Sequence, residues 1–190
     1  MSSAETEREA AAMLPNGDVV ALLLEQHAQI RGLFAEIAVT DAEARKRAFD
    51  ELRALLAVHE AAEELIVRPV AEKTAGPGEA DARNEEEKEA SRVLKQLEGM
   101  DVTSPEFLRT IAEFEQAVSA HAAHEEQEEF PAIVAQCTVM QRRTMGDRLR
   151  KAEHLAPTHP HPTAAGNPTA LKMTGPFASM MDKARDAIGR

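Results

Sequence analysis

His59-Glu60-Ala61-Ala62-Glu63-Glu64-Leu65-Ile66-Val67-Arg68-Pro69 recurs 62 residues later as His121-Ala122-Ala123-His124-Glu125-Glu126-Gln127-Glu128-Glu129-Phe130-Pro131. In both copies a histidine is followed at plus four by Glu-Glu and at plus ten by proline. A helix places residues i and i+4 on one face, one turn apart. Each copy therefore offers an imidazole and a carboxylate side by side. Two such helices facing each other make a cage of nitrogens and oxygens, which suits a pair of octahedral transition-metal ions.

The surrounding sequence predicts helices throughout. Ala, Leu, Glu, Arg and Gln dominate, and strand formers are sparse, with six Phe and no Tyr or Trp. Asn16-Gly17-Asp18 reads as a turn and an N-cap. Val20, Leu23, His27, Ile30, Phe34 and Ile37 then step by three and four along one face. A second helix starts at Thr40-Asp41, and its seam runs Phe49, Leu52, Leu56, His59, Glu63, Ile66 up to Pro69, which bends or ends it. Residues 74–79 read as a loop, and a third helix runs from about Asp81 to Glu98. Its row Leu97, Leu94, Ala90 extends back to Glu87. Ser104-Pro105 caps a fourth helix with the seam Ile111, Phe114, Val118, His121, Glu125, interrupted at Pro131. The expected fold is all-α: an antiparallel up-down four-helix bundle with extra C-terminal helices. Residues 1–17 read as a flexible N-terminal segment, 18–154 as the bundle with a basic helix over 139–154, 155–175 as a Pro-rich linker, and 176–190 as a short amphipathic C-terminal helix.

Each seam carries polar residues where the pattern demands apolar ones: His27, His59 with Glu63, Glu87 on the third helix, and His121 with Glu125. One such residue reads as a bonded core side chain. Several on facing helices need a cation, because burying unpaired carboxylates costs several kcal/mol. Bundle cores are a recurrent place for such carboxylate and histidine sites. Imidazole with carboxylate and no thiolate suits iron or manganese, and six candidates with two carboxylates free to bridge suit two ions. Structural zinc would favour four ligands, often Cys, and calcium would take oxygen alone.

Charge and composition exclude other classes. The net charge of -11 disfavours phosphate backbones and hence nucleic acid. The single Cys137 cannot form an internal disulfide, which fits a reducing cytoplasm. The acidic N-terminus lacks a secretory signal, and no stretch approaches the apolar length of a membrane span. The expectation is a cytoplasmic protein without membrane contact.

Over about residues 18–138 the chain resembles the hemerythrin-like, or HHE cation-binding, proteins of bacteria. The resemblance rests on Glu25-Gln26-His27, on His59-x3-Glu63-Glu64 ending at Pro69, and on His121-x3-Glu125-Glu126 ending at Phe130-Pro131. It implies a four-helix bundle with two non-haem iron ions, oxo- or hydroxo-bridged. It further implies that His27 and His59 ligate one iron and His121 the other, with Glu63 and Glu125 as bridges. The chain departs from the family on the third helix, where a Glu-His pair is usual and Glu86-Glu87 stands, and where oxygen carriers have a further histidine this chain has Arg83. Glu87, Glu60 or His124 would then complete the second iron.

An extra carboxylate favours the ferric state, so the expected ligand is O2, peroxide or NO, met by oxidant chemistry rather than reversible oxygen carriage. Weak catalase-like or oxidase activity is one outcome. A sensor of oxygen, iron or redox state acting through an unknown protein partner is another, and an iron-binding module without turnover a third.

Overall fold

The structure, a computed structural model, describes residues 3–67, 69–70 and 77–153; for 61, 62, 64, 65, 77–85, 87, 152 and 153 it describes the backbone alone. The linker and terminal helix expected over 155–190 lie outside the described residues. The described residues form helices joined by short turns and contain no strand. The elements are α1 (Ser3–Ala12), α2 (Val19–Val39), α3 (Ala42–Ala62), α4 (Pro77–Glu98), α5 (Pro105–His124), α6 (Phe130–Gln136) and α7 (Val139–Glu153). A π turn follows α3 at Glu63–Val67, and another joins α5 to α6 at Glu125–Glu129.

The helix starts follow from the caps read in the sequence. Gly17 adopts a left-handed φ of 79°, which glycine reaches without strain. That turn presents Asp18, whose carboxylate accepts from Val20 N at 3.1 Å. Asp41 accepts from Ala44 N at 2.9 Å, and Ser104 Oγ from Phe107 N at 3.1 Å. These caps satisfy amide groups that the first turn of a helix leaves without partners. The third helix starts earlier than expected, at Pro77 rather than about residue 81. Proline suits the first helical position, because the missing N–H has no acceptor there anyway.

Four helices close into a ring, with α2 against α3 and α5, and α4 against α3 and α5. The two-residue link between α2 and α3 makes them antiparallel neighbours. One apolar cluster fills an end of the bundle: Ile30, Phe34 and Ile37 of α2, Phe49 and Leu52 of α3, Leu94 and Leu97 of α4, and Phe107, Ile111 and Phe114 of α5. Phe34 meets Phe114 edge-on at 5.8 Å and Phe49 meets Phe107 at 5.1 Å. A second cluster sits at the other end: Ala11, Val19, Val20, Leu23, Val67, Phe130, Ile133, Met145 and Leu149, among others. On α2, α3 and α5 the histidines and glutamates lie in sequence between the two clusters. The fold thus holds a polar layer between two apolar ones.

Part of the N-terminal segment is helical. Its α1 packs along α2, and Glu7 and Ala11, four residues apart, are its buried face. At the same end α7 docks on α2 and α3. Its Arg142 is buried, and Nε donates to Asp18 at 2.7 Å, while Nη1 donates to the carbonyls of Val134 at 3.1 Å and Cys137 at 2.6 Å. One guanidinium therefore neutralises the buried cap of α2 and satisfies carbonyls at the end of α6.

The prolines act differently from simple helix breakers. The helix continues beyond Pro131, which sits in the first turn of α6. Proline removes the bond to the carbonyl four residues back and crowds that carbonyl. The wider π turn makes room for it: Phe130 N–H bonds to Glu125 O, five residues back. Residues 69–70 are likewise helical after the first π turn.

Candidate metal centre

Helical spacing brings His59 above Glu63 and His121 above Glu125, as the repeat requires. His59 Nε2 stands 3.5 Å from Glu63 Oε1, and His121 Nε2 stands 3.3 Å from Glu125 Oε1. His27 reaches the same layer from α2, its Nε2 3.5 Å from Glu125 Oε2. The two oxygens of Glu125 therefore face two different imidazoles. The rings of His27 and His59 meet edge-on with centroids 5.0 Å apart. One donor atom from each of His27, His59, Glu63 and Glu125 falls within 4.8 Å of the others, and all four residues are buried. His121 is only partly exposed, at 16%.

A further set of groups orients the rings. His59 Nδ1–H donates to Gln26 Oε1 at 2.7 Å, His27 Nδ1–H to Glu126 Oε1 at 2.8 Å, and His121 Nδ1–H to Glu86 Oε2 at 2.9 Å. Each bond fixes the proton on Nδ1 and turns Nε2 toward the central carboxylates. An outer acceptor of this kind sets the tautomer and raises the basicity of a metal-binding imidazole. His27 Nε2 itself is buried, with Glu125 Oε2 facing it at 3.5 Å. A cation placed among these atoms would meet imidazole nitrogens and carboxylate oxygens in the arrangement a transition metal takes. The residues therefore fit a metal centre.

The electrostatics agree. Burial disfavours a charged imidazole at His27, but the carboxylates of Glu125 and Glu126 that accept from it, and the charges of Glu125 and Glu63, outweigh it and raise its pKa to about 9. His121 is likewise raised well above its usual value against its burial, chiefly by Glu125. Burial pushes the Glu125 carboxyl up, yet His121 and His27 hold it well below the usual carboxylate range. The layer carries more negative than positive groups and attracts positive charge.

Of the six residues singled out in the sequence, the structure brings His27, His59, Glu63, His121 and Glu125 together. The side chain of Glu87 lies outside the described residues. Its neighbour Glu86 is the one seen at His121, and its other oxygen is 3.6 Å from His124 Nδ1. His124 is 45% exposed, at the edge of the site. Glu60 lines a cleft of about 750 Å³ between α3, α4 and α5 that also reaches His59, Glu63 and His121. Leu56, Val93, Phe114 and Val118 are among its apolar walls.

Sequence reasoning missed the outer partners. Gln26 and Glu126 each adjoin a site residue in the motifs, and the side-by-side pairs Gln26-His27 and Glu125-Glu126 were the available signal. Glu7, in a segment that reads only as acidic and Ala-rich, had no such signal.

Comparison with known proteins gives a consistent picture. The sequence profile of the Hemerythrin HHE cation binding domain matches residues 18–133. An uncharacterized hemerythrin-like protein of Schizosaccharomyces pombe is 26% identical over 137 residues, covering 70% of this chain and 67% of that protein. A crystal structure of a Hemerythrin HHE cation binding domain-containing protein from Mycobacterium kansasii superposes with a TM-score of 0.64. It is 23% identical and the match covers 72% of this chain and 85% of the other, a likeness of fold.

Proposed function

Because the chain belongs to the hemerythrin HHE cation-binding family, we propose that the polar layer holds two iron ions and reacts with O2, peroxide or NO rather than carrying O2 reversibly. The observation that carries this reading is Glu125, whose two oxygens face His27 at 3.5 Å and His121 at 3.3 Å. A carboxylate set between two imidazoles in this way suits a bridge between two ions. His27 and His59 would hold one ion, His121 the other, with Glu63 as the second bridge.

When bound, the iron pair would supply the electrons and the Lewis acidity that an oxidant needs. The protein's own part is to orient donors and set their strength. Glu126 and Glu86 place carboxylates on the Nδ1–H of His27 and His121. Two of the three rings thereby gain imidazolate character, which favours the ferric state and opposes return of electrons to the iron. Phe130, stacked on His27 at 5.6 Å, covers one face of that ring. The cleft between α3, α4 and α5 gives a small oxidant a path to His59, Glu63 and His121. The chain has no Tyr or Trp to be oxidised beside it.

Metal analysis after anaerobic Fe(II) loading tests the reading, with about two irons per chain expected on the ligand count. Less than one per chain removes it. Peroxide consumed well beyond the iron present supports turnover; consumption that stops at the iron content makes the protein a binding module.

A further inference from the structure

The ten-residue α1 lies before the matched domain, and most of its residues are exposed. Glu7 is the exception that needs a reason: it is 3% exposed, a carboxylate carried into the protein on a short helix near the chain's start. Such burial is costly unless the charge is partnered. Arg31 Nε donates to Glu7 Oε1. Arg31 sits one turn beyond His27 on α2, so both face the same way. Its Nη2 lies 3.8 Å from Glu126 Oε1, the same oxygen that accepts from His27 Nδ1 at 2.8 Å. A line of contacts thus runs from α1 to the metal layer.

The donors of Glu7, His27 and Glu126 fall within 4.8 Å of one another and resemble a second cation site. Arg31 already brings the positive charge to this cluster, which leaves no call for a metal ion. The cluster has a different use. Glu126 Oε1 is contested between the imidazole N–H and the guanidinium. A guanidinium free to pair fully with Glu126 would take the carboxylate's charge and weaken its bond to His27. Glu7 claims the Nε side of Arg31 and holds the second arm at 3.8 Å, beyond hydrogen-bond distance.

We propose that α1 is a working part of the metal centre: Glu7, by holding Arg31 off Glu126, positions the His27 imidazole and sets its strength as a ligand. The proposal rests on the metal-binding reading above. Glu7 is a positioning residue; it acts on the ion through Arg31 and through its own nearness to Glu126, within 4.8 Å, and thence through His27. Loss of a partner bonded directly to a ligand, as Glu126 is to His27, typically costs 10–100-fold in metal affinity, and Glu7 acts one step further out, so its effect falls at the lower end of that range.

The test uses the full chain and compares the parent with Glu7→Gln, Glu7→Asp and a deletion of residues 2–12. In metal-free protein, nitrogen-15 NMR reads the Nδ1–H of His27 and, as an internal control, that of His121. Glu7→Gln and the deletion should shift or broaden the His27 signal and leave the His121 signal in place, and Glu7→Asp should restore part of it. Co(II) is the metal probe: its affinity, measured against a competing chelator, should fall roughly 10-fold or more in Glu7→Gln, with a shifted visible band. A merely structural α1 would lower the melting temperature and leave both the His27 signal and the Co(II) band unmoved, which overturns the proposal. If the parent itself binds neither Co(II) nor Fe(II), the metal reading fails, and the His27 signal alone still decides whether Glu7 positions that ring.

Discussion

His59 and His121 occupy the same place in two copies of one local structure, each a turn before a buried glutamate and a π turn. Their outer partners differ in kind. The Nδ1–H of His59 meets the neutral amide oxygen of Gln26 at 2.7 Å, and that of His121 meets the carboxylate of Glu86 at 2.9 Å. Their exposure differs too, 7% for the His59 side chain against 16% for His121. The copies therefore share geometry but not electronic character. The local sequence sets where each imidazole points, and residues brought from other helices set how strongly it donates. The His59 ring has a neutral outer partner and is enclosed, whereas the His121 ring has an anionic one and lies nearer to solvent.

The largest effect should come from removing the group that joins the halves. Glu125→Ala takes a carboxylate from between His27 and His121, while Glu63→Ala leaves that contact intact. Loading with Fe(II) should give essentially no bound iron in Glu125→Ala and a partial complement in Glu63→Ala, read by metal analysis. In the metal-free protein Glu125→Ala should also cost about 3–5 kcal/mol in urea unfolding, the usual result of removing one partner from buried charges. Equal iron loss in the two variants would show that the halves are not distinguished by their bridges.

Exchanging the outer partners should invert the asymmetry. Glu86→Gln gives His121 a neutral acceptor, and Gln26→Glu gives His59 a charged one. The first should raise the reduction potential of the loaded protein and the second should lower it, with changes of about 10–100-fold in metal affinity. Potentiometric titration of the visible spectrum reads both. A double exchange that restores the parent's potential would show that the total charge matters and its placement does not.

The repeat, the caps and the seams were legible because each is local. Asp18, Asp41 and Ser104 cap where the residue types say they should, and the polar seam residues converge because helical spacing leaves them no other face. What escaped the sequence is relational. Glu86 stands beside Glu87 in the sequence, and its bond to His121 comes from the packing of α4 against α5. The path from Glu7 to His27 joins residues 20 apart in the chain across two helices. The continuation of the helix beyond Pro131 was hidden because proline's local preference reads as an interruption, while the wider turn that accommodates it is a property of the whole segment.

Acidity offers a finer separation of the halves. In metal-free protein His27 is raised from 6.5 to about 9 by its hydrogen bonds to Glu125 and Glu126, against its burial. A raised folded pKa contributes stability that is fully present below 6.5 and is lost as pH climbs through 9. The metal-free protein should therefore weaken across that window. The metal-loaded protein, whose imidazoles hold an ion in place of protons, should not weaken in the same way. Metal uptake at pH 7.5 should accordingly release protons, measurable in a weakly buffered solution with a pH indicator. His27→Gln should reduce that release. Stability of the metal-free protein that stays flat from pH 6.5 to 9 would remove the excess negative charge from the account.

The smallest effect expected concerns the apolar neighbour of the same ring. Phe130 is stacked on His27 with centroids 5.6 Å apart and rings inclined by 21°, and it belongs to the apolar cluster beyond the π turn. In the first copy the corresponding position is Arg68. The ring contact is one of several that hold His27, since Glu126 fixes its Nδ1 and the core fixes α2. Aromatic pairs contribute about 0.5–1.5 kcal/mol beyond burial. Phe130→Leu keeps most of the apolar surface and loses the stacking, so it should cost roughly 1–2 kcal/mol of stability. Iron content should be kept. The visible spectrum should broaden only slightly, because the hydrogen bond to Glu126 still sets the direction of Nε2. Loss of iron in this variant would mean that the aromatic ring, rather than the outer carboxylate of Glu126, holds His27 in place, and of the two anionic outer partners only Glu86 would then keep its assigned part.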